Sequence, residues 1–140
     1  MTDQRAAEPV VVSVHRRIEE IGRTAWDDCA RSPDFGGNPF VSYDFLDVLE
    51  KSGCAVERTG WAPQHLALRD GQDRVRAVMP LYLKSHSQGE YILDHDWADA
   101  YERAGGRYYP KLVSASPFSP VTGPPSSSVP TSSARPAAAP

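Results

Sequence analysis

The chain of 140 residues changes composition abruptly after Gly123. Residues 124–140 hold five prolines, five serines and four alanines, and they contain no aromatic and no acidic residue. Proline interrupts helices and central strands, and the other residues bury too little apolar surface to offset the entropy lost on ordering. We therefore expect residues 124–140 to be a disordered tail and residues 1–8 to be flexible. Folded structure is expected between residues 9 and 123.

Charge and hydropathy exclude several classes of function. The net charge is −3 and basic residues are interspersed with acidic ones, so no basic patch for nucleic acid or an anionic membrane is present. No apolar run approaches the roughly 18 residues that a membrane-spanning helix requires, and the first residues lack the apolar segment of a signal peptide. We therefore expect a cytoplasmic protein.

The spacing of cysteine and histidine predicts neither a disulfide scaffold nor a metal site. Cys29 and Cys54 belong to no CxxC or Cys/His zinc pattern, so we expect two reduced, largely buried thiols. Potential metal ligands are frequent between His86 and Asp99, but their spacing matches no established ligand motif.

The first half of the folded part predicts one strand and two helices. Residues 10–15 are rich in β-branched side chains, which favours a strand. A helix is predicted to begin near Ile18, because apolar residues recur there at helical spacing. These residues are Ile18, Ile21, Ala25, Trp26 and Cys29. A second helix is predicted from Ser42, a favourable N-cap, to about Ser52, where Gly53 follows.

The next part of the sequence predicts β-structure. Residues 64–69 and 74–84 flank the turn signal Asp70-Gly71 and are expected to form a β-hairpin or meander. Pro80 inside the second run indicates an edge strand or a bulge. The apolar face of that run would consist of Val75, Ala77, Met79, Leu81 and Leu83. The expected core contacts join Trp26, Phe45, Leu46 and Leu49 to Met79 and Leu81.

The remaining residues predict a helix between short extended segments. Residues 89–94 are predicted as a short strand or a loop, and residues 107–115 as one more strand. Between them lies a helix whose apolar face ends at Gly105 and Gly106. The residues of this face are Trp97, Ala98, Tyr101 and Ala104. The predicted order is β-α-α-β-β-(β)-α-β, which belongs to the α+β class.

Chargeable and aromatic side chains are densest between residues 80 and 123. They are Lys84, His86, Glu90, Asp94, His95, Asp96, Trp97, Asp99, Tyr101, Tyr108, Tyr109 and Lys111. Such a mixture on loops beside strand ends is typical of a cleft for a polar ligand. A solvated face above an aromatic core explains the same composition, so both interpretations stay open. Gly105 and Gly106 resemble the start of a pyrophosphate loop, but they follow the predicted helix and therefore indicate its C-cap.

Several longer strings carry a resemblance to a known bacterial family. They are PLYLKSHSQGEY (80–91), WADAY (97–101), GRYYPKL (106–112) and PFSPVTGP (117–124), with NPF (38–40), GW (60–61) and PQHL (63–66) upstream. Over about residues 10–124 the chain resembles the FemAB-like predicted N-acyltransferases of the GNAT superfamily. Members of that family are often described as peptidoglycan biosynthesis or recognition proteins.

The resemblance implies an α+β fold built from two GNAT-like halves and the transfer of an acyl or aminoacyl group to an amine. It implies acyl-coenzyme A or aminoacyl-tRNA as donor and a small molecule or another amine as acceptor. Family members resemble one another over more than twice this length. Residues 9–123 are therefore expected to be the N-terminal part of such a domain, inactive and without a bound cofactor when alone. The alternatives are a non-catalytic interaction fragment, self-associating through an exposed sheet edge, or a pseudogene product.

Five residues within these strings are the candidate substrate contacts. They are Lys84, His86, Tyr108, Tyr109 and Lys111. We expect the basic and aromatic side chains of this region to gather on one concave side, within about 10–15 Å of one another. The resemblance assigns no catalytic residue and no metal ligand.

Overall fold

A computed structural model describes residues 9–31, 37–91, 94–120 and 127–128, which form a mixed α+β structure. The helices are α1 (Arg23–Ala30), α2 (Tyr43–Lys51) and α3 (His95–Arg103). The strands are β1 (Val11–His15), β2 (Trp61–Pro63), β3 (His65–Arg69), β4 (Val75–Met79), β5 (Tyr82–Lys84), β6 (Lys111–Val113) and β7 (Ser127–Ser128). The predicted α+β class is confirmed.

The strands form two small antiparallel sheets. One sheet has the order β1-β3-β4-β7 and the other has the order β2-β5-β6. Gln64 alone separates β2 from β3, while Pro80 and Leu81 separate β4 from β5. At this bend the Gln64 N–H donates to the Leu81 carbonyl at 2.8 Å. One long hairpin therefore crosses from the first sheet to the second, and Pro80, which has no N–H, marks the crossing.

The prediction of one apolar face along residues 74–84 is wrong. The run is split at Pro80, and a bulge interrupts the β3–β4 pairing, where Leu68 faces Ala77 and Arg69 faces Val75. One extra residue on β4 reverses the alternation of side chains at that point. Val75 and Val78 consequently both pack on the main core, whereas Met79 and Ala77 lie on the other side.

The first helix also begins later than its periodicity predicts. Residues Ile18–Glu20 form a short 3₁₀ turn, and α1 starts only at Arg23. Gly22 between them has a φ of +92°, a value that a helix cannot contain. Ile18 and Ile21 are nevertheless buried in the main core. The apolar spacing therefore identified core residues correctly although the helix itself is interrupted.

Helix α2 agrees with its prediction at both ends. The Ser42 hydroxyl accepts a hydrogen bond from the Phe45 N–H at 3.4 Å, which caps the first turn. The helix ends at Lys51, and Gly53 follows with a φ of +75°. The N-cap serine and the glycine after the last turn were sufficient to predict both ends of the helix, because both act on neighbouring residues.

The core is divided into two clusters. The main cluster contains Ile18, Ile21, Trp26, Cys29, Ala30, Tyr43, Leu46, Ala67 and Val78, with Ala25, Phe45 and Val75 packed against it. The smaller one contains Ala55, Trp61 and Tyr82, with Leu49 against it. Trp26 and Leu46 are core residues as predicted, but their strand partners are Val78 and Ala67, because the bulge turns Met79 away. Leu49 belongs to the second cluster.

Other local predictions were only partly correct. Strand β2 was not predicted, and residues 107–115 yield only the short β6. Residues 89–91 form no strand, while Ile92 and Leu93 lie outside the described residues. Residues 127–128 of the predicted disordered tail form β7, which pairs with β4. The rest of residues 124–140 and the whole of residues 1–8 lie outside the described part.

Exposure corrects two further expectations. Cys29 is buried, but Cys54 is exposed, so the prediction of two buried thiols holds for one of them. Helix α3 forms as predicted, yet Trp97 on its apolar face is 76% exposed and Tyr101 is also exposed. Of that face, Ala98 is buried. Within the described ranges, every helix is too short or too polar to cross a membrane.

Candidate functional site

Four of the five candidate residues meet around two carboxylates beside the second sheet. Lys84 on β5 and Lys111 on β6 are direct cross-strand partners, so their side chains leave the sheet on the same face. The segment after β5 carries Glu90 and Asp94 over these two lysines. We call the group the acid–lysine cluster; its members are Lys84, Ser87, Glu90, Asp94, Tyr108, Tyr109 and Lys111.

Lys111 lies at the centre of this cluster. Its ammonium donates to Ser87 Oγ at 3.0 Å, to Glu90 Oε2 at 2.8 Å and to Asp94 Oδ2. Burial alone would lower the pKa of Lys111, but the hydrogen bonds to Asp94 and Glu90 outweigh it and raise the pKa. All three N–H groups are thus directed to protein acceptors, and the lysine stays charged.

Lys84 is fully buried, with no exposed side-chain surface. Its Nζ donates to the Gln88 carbonyl at 2.9 Å, lies 3.6 Å from the centre of the Trp61 ring and lies 3.9 Å from Glu90 Oε1. Burial lowers the pKa of Lys84 to about 8, although the nearby Glu90 carboxylate opposes this effect. Of the two lysines in the cluster, Lys84 is therefore the one that loses its charge at the lower pH.

Tyr108 and Tyr109 each form a hydrogen bond with a polar side chain of the cluster. The Tyr108 hydroxyl donates to Asp94 Oδ2 at 2.6 Å, and the Tyr109 hydroxyl shares a hydrogen bond of 2.5 Å with Ser87 Oγ. Burial tends to raise the pKa of Asp94, but hydrogen bonds from Lys111, Ser87 and Tyr108 lower it well below its usual range. Asp94 is therefore a carboxylate at every ordinary pH.

Two buried acceptor atoms of the cluster have no hydrogen-bond partner among the described residues. Glu90 Oε1 and Asp94 Oδ1 are buried and accept no hydrogen bond from any described residue. An unsatisfied buried acceptor costs roughly 1–3 kcal/mol, more when it is charged. Charge-assisted hydrogen bonds from a cationic donor, such as an ammonium group, would satisfy these two oxygens.

His86, the fifth candidate, contacts a different group of residues. Its Nδ1 accepts a hydrogen bond from the Gln88 N–H at 3.1 Å, and its ring packs so closely on Gly60 that a Cβ there would lie 2.2 Å from Nε2. Together with Trp61 and Phe118 it lines a shallow apolar pocket of about 390 Å³. Sequence reasoning did not foresee this separation, nor the part played by Ser87, because both follow from how the chain turns after β5.

The sequence also did not predict a second cleft, of about 530 Å³, which is larger than the pocket beside His86. Its lining residues are Arg16, Arg17, Glu19, Asp47, Glu50, Lys51, Val56, Glu57, Ala62, Pro63, Gln64 and Leu83. They come from segments far apart in the chain, so no local motif signals the cleft. On its wall the Glu50 carboxylate accepts hydrogen bonds from the Ile18 N–H and from the buried His65 ring.

Gly105 and Gly106 close the C-terminal end of α3. The Gly105 N–H donates to the Glu102 carbonyl and the Gly106 N–H to the Tyr101 carbonyl, so the pair closes α3 as predicted. These amides are therefore engaged and do not form a phosphate cradle. In the part of the chain that the structure describes, His, Cys, Asp and Glu form no group of three or more that could hold a metal ion.

Comparison with known proteins identifies the family. A FemAB-like family model, described as peptidoglycan biosynthesis/recognition, matches residues 17–136. The match continues past residue 124 and includes β7, so the resemblance is longer than the sequence alone suggests. Comparison with curated proteins found no match, and neither did comparison with solved structures. Since the family model spans most of its length, the chain belongs to the FemAB-like family of peptidoglycan biosynthesis and recognition proteins.

Proposed function

We propose that this chain forms the amine-binding part of a GNAT-type N-acyltransferase that transfers an acyl or aminoacyl group to an amine. Membership of the FemAB-like family supports a role in peptidoglycan biosynthesis or recognition. The observation that carries the proposal is the pair of buried oxygens that accept no hydrogen bond from a described residue, Glu90 Oε1 and Asp94 Oδ1. Lys84, Tyr108, Tyr109 and Lys111 would shape the site around them, and His86 would contact the substrate farther away.

The chemistry of the acceptor fits these atoms. A primary amine is protonated at neutral pH and presents three N–H donors, so it can satisfy both oxygens with charge-assisted hydrogen bonds. The ammonium must first lose one proton to gain the lone pair that attacks the carbonyl carbon of the donor, and the nitrogen loses a second proton as the amide forms. In this proposal the Lys84 amine, whose pKa burial lowers to about 8 and whose Nζ lies 3.9 Å from Glu90 Oε1, receives a proton from the bound ammonium.

We expect the chain alone to show no turnover. The reaction also requires groups that hold the donor and stabilise negative charge on its carbonyl oxygen. Lys111 and the Gly105 and Gly106 amides already donate to protein acceptors, so they are not available for this task. Incubation with acyl-coenzyme A or aminoacyl-tRNA and an amine tests this expectation, and measurable amide formation would contradict it.

Calorimetric titration tests amine binding directly. A soluble peptidoglycan fragment with a free amine is compared with the same fragment after N-acetylation, which removes the ammonium and leaves the rest unchanged. We expect the acetylated fragment to bind at least about tenfold more weakly, because charge-assisted hydrogen bonds are lost. Equal affinities, or no binding of either fragment, would overturn the proposal.

A matched pair of variants locates the binding. Glu90→Gln keeps the shape of the side chain but removes its charge, so we expect weaker binding of the free-amine fragment. Glu102→Gln makes the same change on the exposed surface of α3 and should leave binding unaltered. Circular dichroism shows whether both variants fold. If Glu90→Gln is folded and binds like the parent, the acid–lysine cluster is not the amine site.

A further inference from the structure

The 530 Å³ cleft lies on the opposite face of the second sheet from the acid–lysine cluster. Side chains alternate along a strand, so Leu83, which lines the cleft, and Lys84, which belongs to the cluster, point to opposite sides of β5. Ala62, the cross-strand partner of Leu83, lines the cleft as well. A ligand in this cleft would therefore occupy a site separate from the one proposed above.

Glu50 is a fixed and nearly buried carboxylate on the wall of this cleft. Its side chain is 9% exposed, and the Ile18 N–H reaches both of its oxygens, at 3.1 and 3.3 Å. His65 Nε2 lies 2.8 Å from Oε1, while His65 Nδ1 accepts a hydrogen bond from the Leu81 N–H at 3.3 Å. Because Nδ1 is an acceptor, the proton is assigned to Nε2, which donates to Glu50.

These contacts prepare Glu50 to bind a further donor. A carboxylate offers about four acceptor positions, and the contacts from Ile18 and His65 take three of them. The cleft wall therefore presents a charged oxygen that is held rigidly and can accept one more hydrogen bond. Burial between protein groups makes this carboxylate less screened by water than a surface one, so a cationic donor gains more by binding to it.

The other charges around the cleft come from two segments. Asp47 lies in α2, as Glu50 does, and Glu57 lies in a short turn after α2. Arg16 and Arg17 directly follow β1. Asp47 is paired with Lys51 at 2.7 Å and Arg17 with Glu19 at 2.9 Å. Between the charges lies an apolar floor. It consists of Val56, Ala62, Pro63 and Leu83.

We propose that this cleft binds a small zwitterion of the amino-acid or dipeptide class, with its ammonium on Glu50 and its carboxylate on Arg16. The volume is within the range of ordinary ligand pockets and leaves room for short side chains above the apolar floor. A ligand with a single charge would satisfy one of these two groups only. Binding should therefore require both ends of the ligand.

NMR titration of the isotope-labelled chain tests the proposal, with alanyl-alanine as the probe. We expect saturable shifts of the Ala62 and Gln64 amide signals. N-acetyl-alanyl-alanine lacks the ammonium and alanyl-alanine amide lacks the carboxylate, and each should bind at least about threefold more weakly. Equal shifts with all three ligands, or none at saturating alanyl-alanine, would overturn the proposal.

A variant of Arg16 tests the carboxylate end of the ligand without disturbing the buried Glu50. Arg16 is exposed, so Arg16→Gln should fold normally and weaken alanyl-alanine at least about threefold. The same variant should leave the affinity for alanyl-alanine amide unchanged. Arg103→Gln, on the exposed side of α3, is the control and should bind like the parent. Unchanged alanyl-alanine binding by Arg16→Gln would contradict the assignment.

Glu90→Gln separates this proposal from the amine site described above. The residue lies in the acid–lysine cluster, away from the cleft, so we expect alanyl-alanine binding at Ala62 and Gln64 to persist in this variant. If Glu90→Gln abolishes the shifts, the dipeptide occupies the acid–lysine cluster. The zwitterion site would then be wrong, while the proposed amine site would remain supported.

Discussion

At the scale of single residues, Lys111 shows how a buried cation can hold a segment of the chain in place. It neutralises Glu90 and Asp94, which come from the segment between β5 and α3, while Lys111 itself belongs to β6. All three side chains are largely buried. Removing one partner of such a group leaves the others charged in a poorly hydrated environment, which costs far more than losing a surface pair.

We predict that Lys111→Met lowers the free energy of unfolding by about 3–5 kcal/mol, because two buried carboxylates lose their cation. Lys51→Met is the matched control. Its partner Asp47 is also a carboxylate, but the Lys51 side chain is 64% exposed, so the expected loss is about 0–1 kcal/mol. Urea denaturation of both variants measures the difference. Equal losses would show that the acid–lysine cluster is not a buried network.

Lys84 gives a prediction for alkaline pH. Its pKa is about 8 in the folded protein and 10.5 in the reference state, so the folded chain binds fewer protons between these values. Stability contributed by this residue must therefore rise as pH increases through that window. We expect the free energy of unfolding of the parent, relative to Lys84→Met, to increase from about pH 8 to about pH 10.5. A constant difference, measured by denaturant titration, would contradict the low pKa.

At the scale of elements, the bulge in β4 decides which side chains reach the core. The extra residue between Val75 and Ala77 places Val78 inward, opposite Ala67 on β3. We predict that Val78→Ala costs about 1.5–3 kcal/mol, since it removes buried methyl groups and leaves a cavity. Val14→Ala, an equivalent change on the exposed side of β1, should cost less than about 0.5 kcal/mol. The opposite ranking would contradict the described register.

Trp26 connects helix α1 to strand β3 and to the turn before α2. This side chain is 1% exposed, its Nε1 donates to the Val41 carbonyl at 2.8 Å and its ring contacts His65 edge-on. We predict that Trp26→Ala costs about 3–5 kcal/mol and lowers the melting temperature strongly. Trp97→Ala, on the exposed face of α3, should change stability little. If both variants melt alike, the assignment of the core is incorrect.

At the scale of the whole molecule, the first sheet exposes the edge formed by β1. Within the described residues β1 pairs with β3 alone, and Val11, Val12 and Val14 are exposed. An apolar edge strand without charged residues favours pairing with another chain. We predict concentration-dependent self-association by sedimentation velocity, reduced in Val12→Lys. Val48→Lys, on exposed α2 surface, should not reduce it. A parent chain that stays monomeric at high concentration would contradict this prediction.

Sequence alone determined the features that depend on near neighbours. The cap at Ser42, the glycine after α2, the C-cap at Gly105 and the β3–β4 turn at Asp70 were all predicted, since each acts over a few residues. The strings that resemble the family were equally local, and the family assignment was confirmed. Four of the five candidate residues lie in one cluster, as the local density of polar groups predicts, and their role as substrate contacts stays a prediction.

Tertiary structure decided the features that join distant residues. The bend at Pro80, the bulge that turns Val78 inward and the pairing of Lys84 with Lys111 depend on register between strands, which no local period specifies. The contact between Glu50 and His65 and the cleft beside it likewise require packing of α2 on the bent hairpin. Side chains far apart in sequence become neighbours only when the buried surface fixes that register. The burial that lowers the pKa of Lys84 to about 8 also depends on this tertiary packing.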